Sequence, residues 1–200
     1  MVRGDRTEAF QRVCDAALAH FSVAGYDGAS LNEIALLVGI RKASLYSHVA
    51  SKEALYLQIL QDAVEVEECY VRQVLGPLSK GELPGQAYVS TIAQRYADSV
   101  HLRFLLRAAF LPPEQLRATV GPTYEGFVSQ LQDCFATQLD ACVVAPLLPQ
   151  VSERFAIAYA GIVESLYVEL IYAGRIKMAK REEAMWHLFA QSLSPHVKRC

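Results

Sequence analysis

Cysteine is scarce in this chain and shows no pairing pattern. Its five copies (Cys14, Cys69, Cys134, Cys142 and Cys200) are scattered, odd in number and never spaced as Cys-x-x-Cys. That argues against a disulfide framework and fits the reduced, mostly buried thiols of a cytosolic protein. The five histidines (His20, His48, His101, His187 and His196) are isolated from one another, and a single histidine–cysteine pair, His196 and Cys200, stands four residues apart. No metal and no cofactor are therefore expected. The Gly-x-Ser-x-Gly, P-loop and His-Glu-x-x-His signatures are all missing, which argues against an enzyme. No uncharged apolar run approaches the ~18 residues of a bilayer span, and the first residues lack the apolar core of a signal peptide. The expectation is a cytoplasmic protein with no membrane partner. Strand-like alternation is not sustained anywhere. Nor is there an excess of charge: 19 basic residues face 21 acidic ones, for a net charge of −2. Any affinity for nucleic acid must therefore come from a local patch.

What is present is helix. With 52% hydrophobic residues the chain has apolar surface enough for a sizeable core and for burial between subunits. Phe10, Val13, Cys14, Ala17, Leu18 and Phe21 follow the i, i+3, i+4 spacing of one buried helix face. Asp5 with Glu8 supplies a capping box for that helix, and Gly25 a left-handed stop. A second helix starts at Ser30, whose hydroxyl caps it while Glu33 reaches back. Leu31, Ile34, Leu37 and Val38 form its inward face, and Gly39 makes the turn. A third helix is expected from Arg41 or Lys42 to Val49, with Leu45 and Val49 inward. Ser51 caps a fourth that continues toward Val74, where Gly76-Pro77 stops it. Further helices are expected at about 86–100, 102–110, 114–141, 150–172 and 181–197, with Gly121-Pro122 kinking or dividing the third of these. The class is all-α, with about nine helices: a three-helix helix-turn-helix head at 1–50 and a helical effector-binding and dimerisation body at 51–200.

Residues 41–52 hold Arg41, Lys42, His48 and Lys52 and no acid. A helix that enters the major groove needs residues at its start that reach base edges, flanking groups that hold phosphates, and a rigid support. Arg41, Lys42 and Ser44 lie at the start of the third helix. Tyr46, Ser47 and His48 lie one turn on, and Lys52 opens the next helix, where backbone N–H groups also favour a phosphate.

The motifs Ala24-Gly25-Tyr26, Glu33-Ile34-Ala35, Val38-Gly39-Ile40, Ser44-Leu45-Tyr46 and Ser51-Lys52-Glu53-Ala54-Leu55 stand in order around this stretch. Through them, residues 7 to 60 resemble the DNA-binding head of the tetracycline-repressor (TetR-like) family of bacterial regulators. The rest of the chain agrees only in length and helical pattern. The resemblance implies that residues around Lys42, Ala43 and Ser44 meet bases, and that Tyr46, His48 and Lys52 contact the phosphate backbone. Ser30, Arg41 and Ser47 complete the candidate DNA surface. Two residues depart from the family pattern. Arg41 stands where a serine or threonine cap is usual, at a cost of roughly 1 kcal/mol to the helix start, and Val49 replaces the usual aromatic.

In the body, polar groups interrupt apolar runs. Arg107, set among Phe104, Leu105, Leu106, Ala108, Ala109 and Phe110, either pairs internally, for which Glu164 is a partner, or faces a pocket. Tyr96, Phe104, Arg107, Phe127, Glu164 and Tyr167 are the candidate effector-pocket residues. The last two helices carry broad apolar faces, and Tyr159, Ile162, Leu166, Met185, Leu188, Phe189 and Leu193 are the candidate dimer interface. The family implies a four-helix dimer bundle there. The functional expectation is a homodimeric transcriptional regulator, a repressor released from a palindromic operator by a small, largely apolar effector. Its partners would be double-stranded operator DNA, a second copy of itself, and that effector. Two other classes remain open: a DNA-associated structural or division-control protein of the same fold without an effector, and a helical binding protein or enzyme whose head no longer reads DNA.

Overall fold

The computed structural model describes residues 6–198. Among them nine α-helices form and no strand: α1 (Glu8–Gly28), α2 (Leu31–Val38), α3 (Lys42–Leu45), α4 (Lys52–Val74), α5 (Gln86–Asp98), α6 (Val100–Phe110), α7 (Arg117–Cys142), α8 (Pro149–Tyr172) and α9 (Arg175–Leu193). A 3-10 turn at Glu114–Leu116 precedes α7. One isolated antiparallel bridge joins Val143 to Val197.

Local chemistry sets most of the boundaries. Thr7 caps α1, its hydroxyl accepting from the Phe10 amide at 3.3 Å; Asp5, expected in a capping box, lies outside the described residues. Gly25 breaks α1 at φ 72 and ψ −178, and one more turn follows to Gly28. The capping box of Ser30 and Glu33 is formed at α2, and Gly39 turns the chain at φ 77. Ala35 belongs to the buried face of α2, whereas Leu37, expected inward, is 64% exposed.

Helix α3 is much shorter than its apolar spacing predicts. The Ser47 hydroxyl donates to the Ser44 carbonyl at 2.7 Å, and that carbonyl is the one a continuing α-helix would offer to the His48 amide. His48 N–H donates to Leu45 O instead, at 2.9 Å. A serine competing for its own backbone ends the helix.

Helix α7 runs through Pro122 undivided. The proline lies in the helix's second turn, and the preceding Gly121 has no Cβ to clash with the proline ring, so the break expected there does not occur. Helix α9 begins at Arg175, six residues ahead of the expected start, and Met178 in its first turn is fully buried.

The chain divides into two compact units: Met1–Glu67 with Ser99–Tyr124, and Glu68–Asp98 with Glu125–Cys200. The expected boundary at 50/51 does not coincide with this division, because α6 packs on α1 and the first part of α4 shares their core. In the first unit Tyr56 stands edge-on to Phe21 and to Phe104, with ring centroids 5.1 and 5.0 Å apart. A bidentate pair joins Arg6 to Asp62. Buried Glu67 accepts from the Ser99 hydroxyl at 2.7 Å, and the same hydroxyl caps α6.

In the second unit the α5, α8 and α9 helices pack together. The Tyr88 and Tyr167 hydroxyls meet at 2.5 Å. By length and composition alone α8 passes for a membrane span; in this fold its Ala156, Tyr159, Val163, Leu166 and Tyr167 are spent on the core. Of the cysteines, Cys14 and Cys142 are buried as expected, whereas Cys69 is exposed.

Candidate nucleic-acid interface

Leu45 is fully buried and Val49 nearly so. These two anchors fix the 41–49 segment from behind, and every other residue between Arg41 and His48 is turned outward. Arg41, Lys42, Ala43, Ser44, Ser47 and His48 are exposed, and Tyr46 is 50% exposed. Arg41 stands at the N-cap of α3, where its guanidinium, which has donors only, makes no side-chain cap bond. Lys42 Nζ stands 6.0 Å from the Tyr46 ring centroid. The His48 ring stacks on Phe10 with centroids 6.0 Å apart, which orients it on the surface of α1. Two cations, two hydroxyl side chains, a phenol and an imidazole thus stand outward on one segment that carries no acid. Its chemistry suits phosphate oxygens and base edges.

The supporting groups are more committed. Lys52 is half-buried: its ammonium donates to the Ala29 carbonyl at 2.9 Å and stands 4.3 Å from the Tyr26 ring centroid. It therefore ties the start of α4 to the α1–α2 junction, and two of its three donors remain. The Ser30 hydroxyl is taken up by Glu33, donating to Oε2 at 2.9 Å and accepting from the backbone N–H at 3.2 Å. Hydrogen bonds from Ser30 and from His20 hold the Glu33 carboxyl below the usual carboxylate range. This part of the capping box is therefore present at neutral pH and is lost as the pH falls through Glu33's lowered folded value. Sequence reasoning missed Arg12, whose guanidinium donates to Val38 O at 3.1 Å and clamps α1 to the turn. That bond spans 26 positions and leaves no local signal.

The other expected residues fall in different surroundings. On the dimer faces, Tyr159, Ile162, Leu166, Phe189 and Leu193 are buried within the protomer and present no free surface. Tyr159 stacks on Phe135 at 4.2 Å and donates to Gly85 O at 3.1 Å. Leu188 is 66% exposed and Met185 half-exposed. The outward stripe of α8 is instead Ile157, Ala158, Gly161 and Tyr172, all exposed. A helix hydrophobic on most of its circumference does not reveal from sequence which side its own fold uses.

The six effector-pocket candidates divide between the units. Phe104 and Arg107 belong to the first, while Tyr96, Phe127, Glu164 and Tyr167 belong to the second. Phe104, Phe127 and Tyr167 are buried. Arg107 lines a cleft of the first unit that includes none of the other five. Among the described residues of that unit its guanidinium makes no ion pair.

The profile of the bacterial regulatory proteins, tetR family, matches residues 13–59. The biofilm operon icaADBC HTH-type negative transcriptional regulator IcaR of Staphylococcus aureus (strain Newman) is 49% identical over 47 residues, which are 24% of this chain and 25% of that protein. The IcaR protein of Staphylococcus epidermidis is 41% identical over 59 residues, 30% of this chain and 29% of its own length. The chain thus spans less than a third of the length of the curated relatives it matches. Solved structures extend the likeness of fold to the body. A tetR-family transcriptional regulator from Streptomyces coelicolor superposes with a TM-score of 0.72 at 20% identity, over 93% of this chain and 80% of that one. One from Agrobacterium tumefaciens gives a TM-score of 0.66 at 18% identity, over 95% and 98% of the two chains. Residues 13–59 are thus similar to the head of tetR-family regulators, and the fold of the chain is similar to that of solved tetR-family structures.

Proposed function

We propose that the chain is a cytoplasmic, homodimeric DNA-binding transcriptional regulator that acts as a repressor. The observation that carries this reading is the exposed, acid-free segment from Arg41 to His48, seated on buried Leu45 and Val49. In this reading Lys42, Ala43 and Ser44 meet base edges. Arg41, Tyr46 and His48 hold phosphates, Ser47 lies beside them and ends α3 through its bond to Ser44 O, Lys52 and the amides at the start of α4 add a further backbone contact, and Ser30 shapes the edge of the surface. Two heads take successive major grooves of a near-palindromic operator. The IcaR proteins are negative transcriptional regulators, which supports repression.

The dimer face runs along the exposed side of α8 and α9 through Ile157, Ala158, Gly161 and Leu188, with Met185 at its edge. Small residues at Ala158 and Gly161 permit close backbone approach. The buried Tyr159, Ile162, Leu166, Phe189 and Leu193 support that face from behind. A small effector bound by the rest of the chain shifts the heads and lowers operator affinity by about 5–150-fold, the range of a 1–3 kcal/mol coupling.

The reading is tested by fluorescence anisotropy on a labelled random-sequence duplex at increasing salt. With two heads each holding two or more phosphates, the logarithm of the affinity falls with the logarithm of salt with a slope of about −3.6 or steeper. Weak binding that salt leaves unchanged would reject DNA reading in favour of a helical binding protein.

A further inference from the structure

A cleft of about 300 Å³ opens in the first unit, between the last turn of α1, Tyr56 of α4 and the segment that leaves α6 through Pro112 and Pro113. Arg107 forms its inner wall. The guanidinium lies so close to the α1 backbone that a Cβ built on Gly25 would stand 2.8 Å from Nη2 and 3.2 Å from Nε. The missing side chain at position 25 is what makes room for the cation. Arg107 is half-buried, yet among the described residues its guanidinium has neither a hydrogen bond nor an ion pair. Tyr56, only 3% exposed, lines the same cleft, and its hydroxyl likewise bonds to no protein group. Burial pushes that phenol up to about 12, so it stays protonated and able to donate. At the rim stand two exposed carboxylates, Asp27 and Glu114.

A half-buried guanidinium with five unspent donors is costly unless something completes it. A carboxylate matches its fork, and the Tyr56 hydroxyl converges on the same space. The two acids at the rim oppose a doubly charged anion such as phosphate, and they attract a positive charge. We propose that this cleft binds a small zwitterion, with a carboxylate on Arg107 and Tyr56 and an ammonium group toward Asp27 and Glu114. The volume suits a ligand the size of an amino acid. The occupant touches α1, α4 and α6 at once. Its effect on operator affinity rests on the regulator reading above, but its binding does not.

Isothermal titration of the full chain, without DNA, tests the site. The probes are β-alanine, 4-aminobutyrate and 6-aminohexanoate, with butyrate, butylamine and inorganic phosphate as comparisons. At least one of the amino acids saturates one site per chain, and the three comparison compounds bind at least about tenfold more weakly, as loss of one charged partner dictates. Arg107→Gln abolishes the binding. Tyr56→Phe, which keeps the ring packing, weakens it about tenfold and decides the matter should the arginine variant fold poorly. No saturation by any of the three amino acids at about 10 mM, equal binding of butyrate or phosphate, or unchanged affinity in Tyr56→Phe would overturn the proposal. Any of these failures leaves the DNA reading standing, since no duplex is in the cell.

Discussion

Replacing Arg41 and Lys42 together by glutamate is expected to weaken binding to a specific duplex about a thousandfold or more, with the melting temperature held within about two degrees. Both side chains are exposed, and neither has a structural bond to lose beyond the distant approach of Lys42 to the Tyr46 ring. A base contact is worth about 1–3 kcal/mol, and each lost phosphate contact lowers the salt slope by about one. In a dimer each substitution acts twice, and the new carboxylates repel the duplex as well. The folded state meets the opposite balance. Surface changes of this kind stay within about 0.5 kcal/mol, and an acid at a helix start is the sign the backbone dipole favours. Anisotropy on specific and random duplexes, paired with thermal melting, separates the two effects. Binding within threefold of the parent would remove this surface from the interface.

The largest stability effect is expected at Gly85, far from that surface in sequence. Gly85 sits at φ +81, and a Cβ there would lie 2.3 Å from Tyr159 Cε2 and 2.9 Å from two further ring atoms. The ring has nowhere to go. It is fully buried, stacked on Phe135 at 4.2 Å, and held by its hydroxyl to Gly85 O. The Gly85 amide is fixed too, donating to Gln138 Oε1 at 2.8 Å. Gly85→Ala therefore combines a left-handed alanine, about 1–2 kcal/mol, with overpacking of about 1–3 kcal/mol. For a chain of this size that corresponds to a fall in melting temperature of roughly 10 °C. Circular dichroism melting checks it, and a fall of under about two degrees would mean the Tyr159 ring is free to move.

How much of this was legible beforehand depended on the range of the interaction. Caps and turns were readable because their partners lie within three or four residues: Ser30 with Glu33, Ser51 with Ala54, and Gly39 at its positive φ. The end of α3 was not, since Leu45 and Val49 keep helical spacing while Ser47 takes the carbonyl that the next turn needs. The start of α9 was hidden by Arg175, Lys177 and Lys180, cations at the end of a helix where its dipole disfavours them. Composition marked Arg41, Lys42 and His48 as outward, because charged and polar side chains are rarely buried without a partner. It could not sort α8 and α9, where Tyr159 and Ile157 are both apolar and only one is buried. The cleft at Arg107 joins positions 25, 56 and 107, and no local pattern brings those three together.

The claim on which the rest depends is that two copies of this chain present their Arg41–His48 surfaces to one duplex. Selection of bound DNA from a random pool with the purified full-length protein measures it most directly. The account predicts enrichment of a near-palindromic consensus whose half-site centres lie about one helical turn, or a whole multiple of it, apart. A pool that never enriches, or a consensus reduced to one unrepeated half-site, would contradict it.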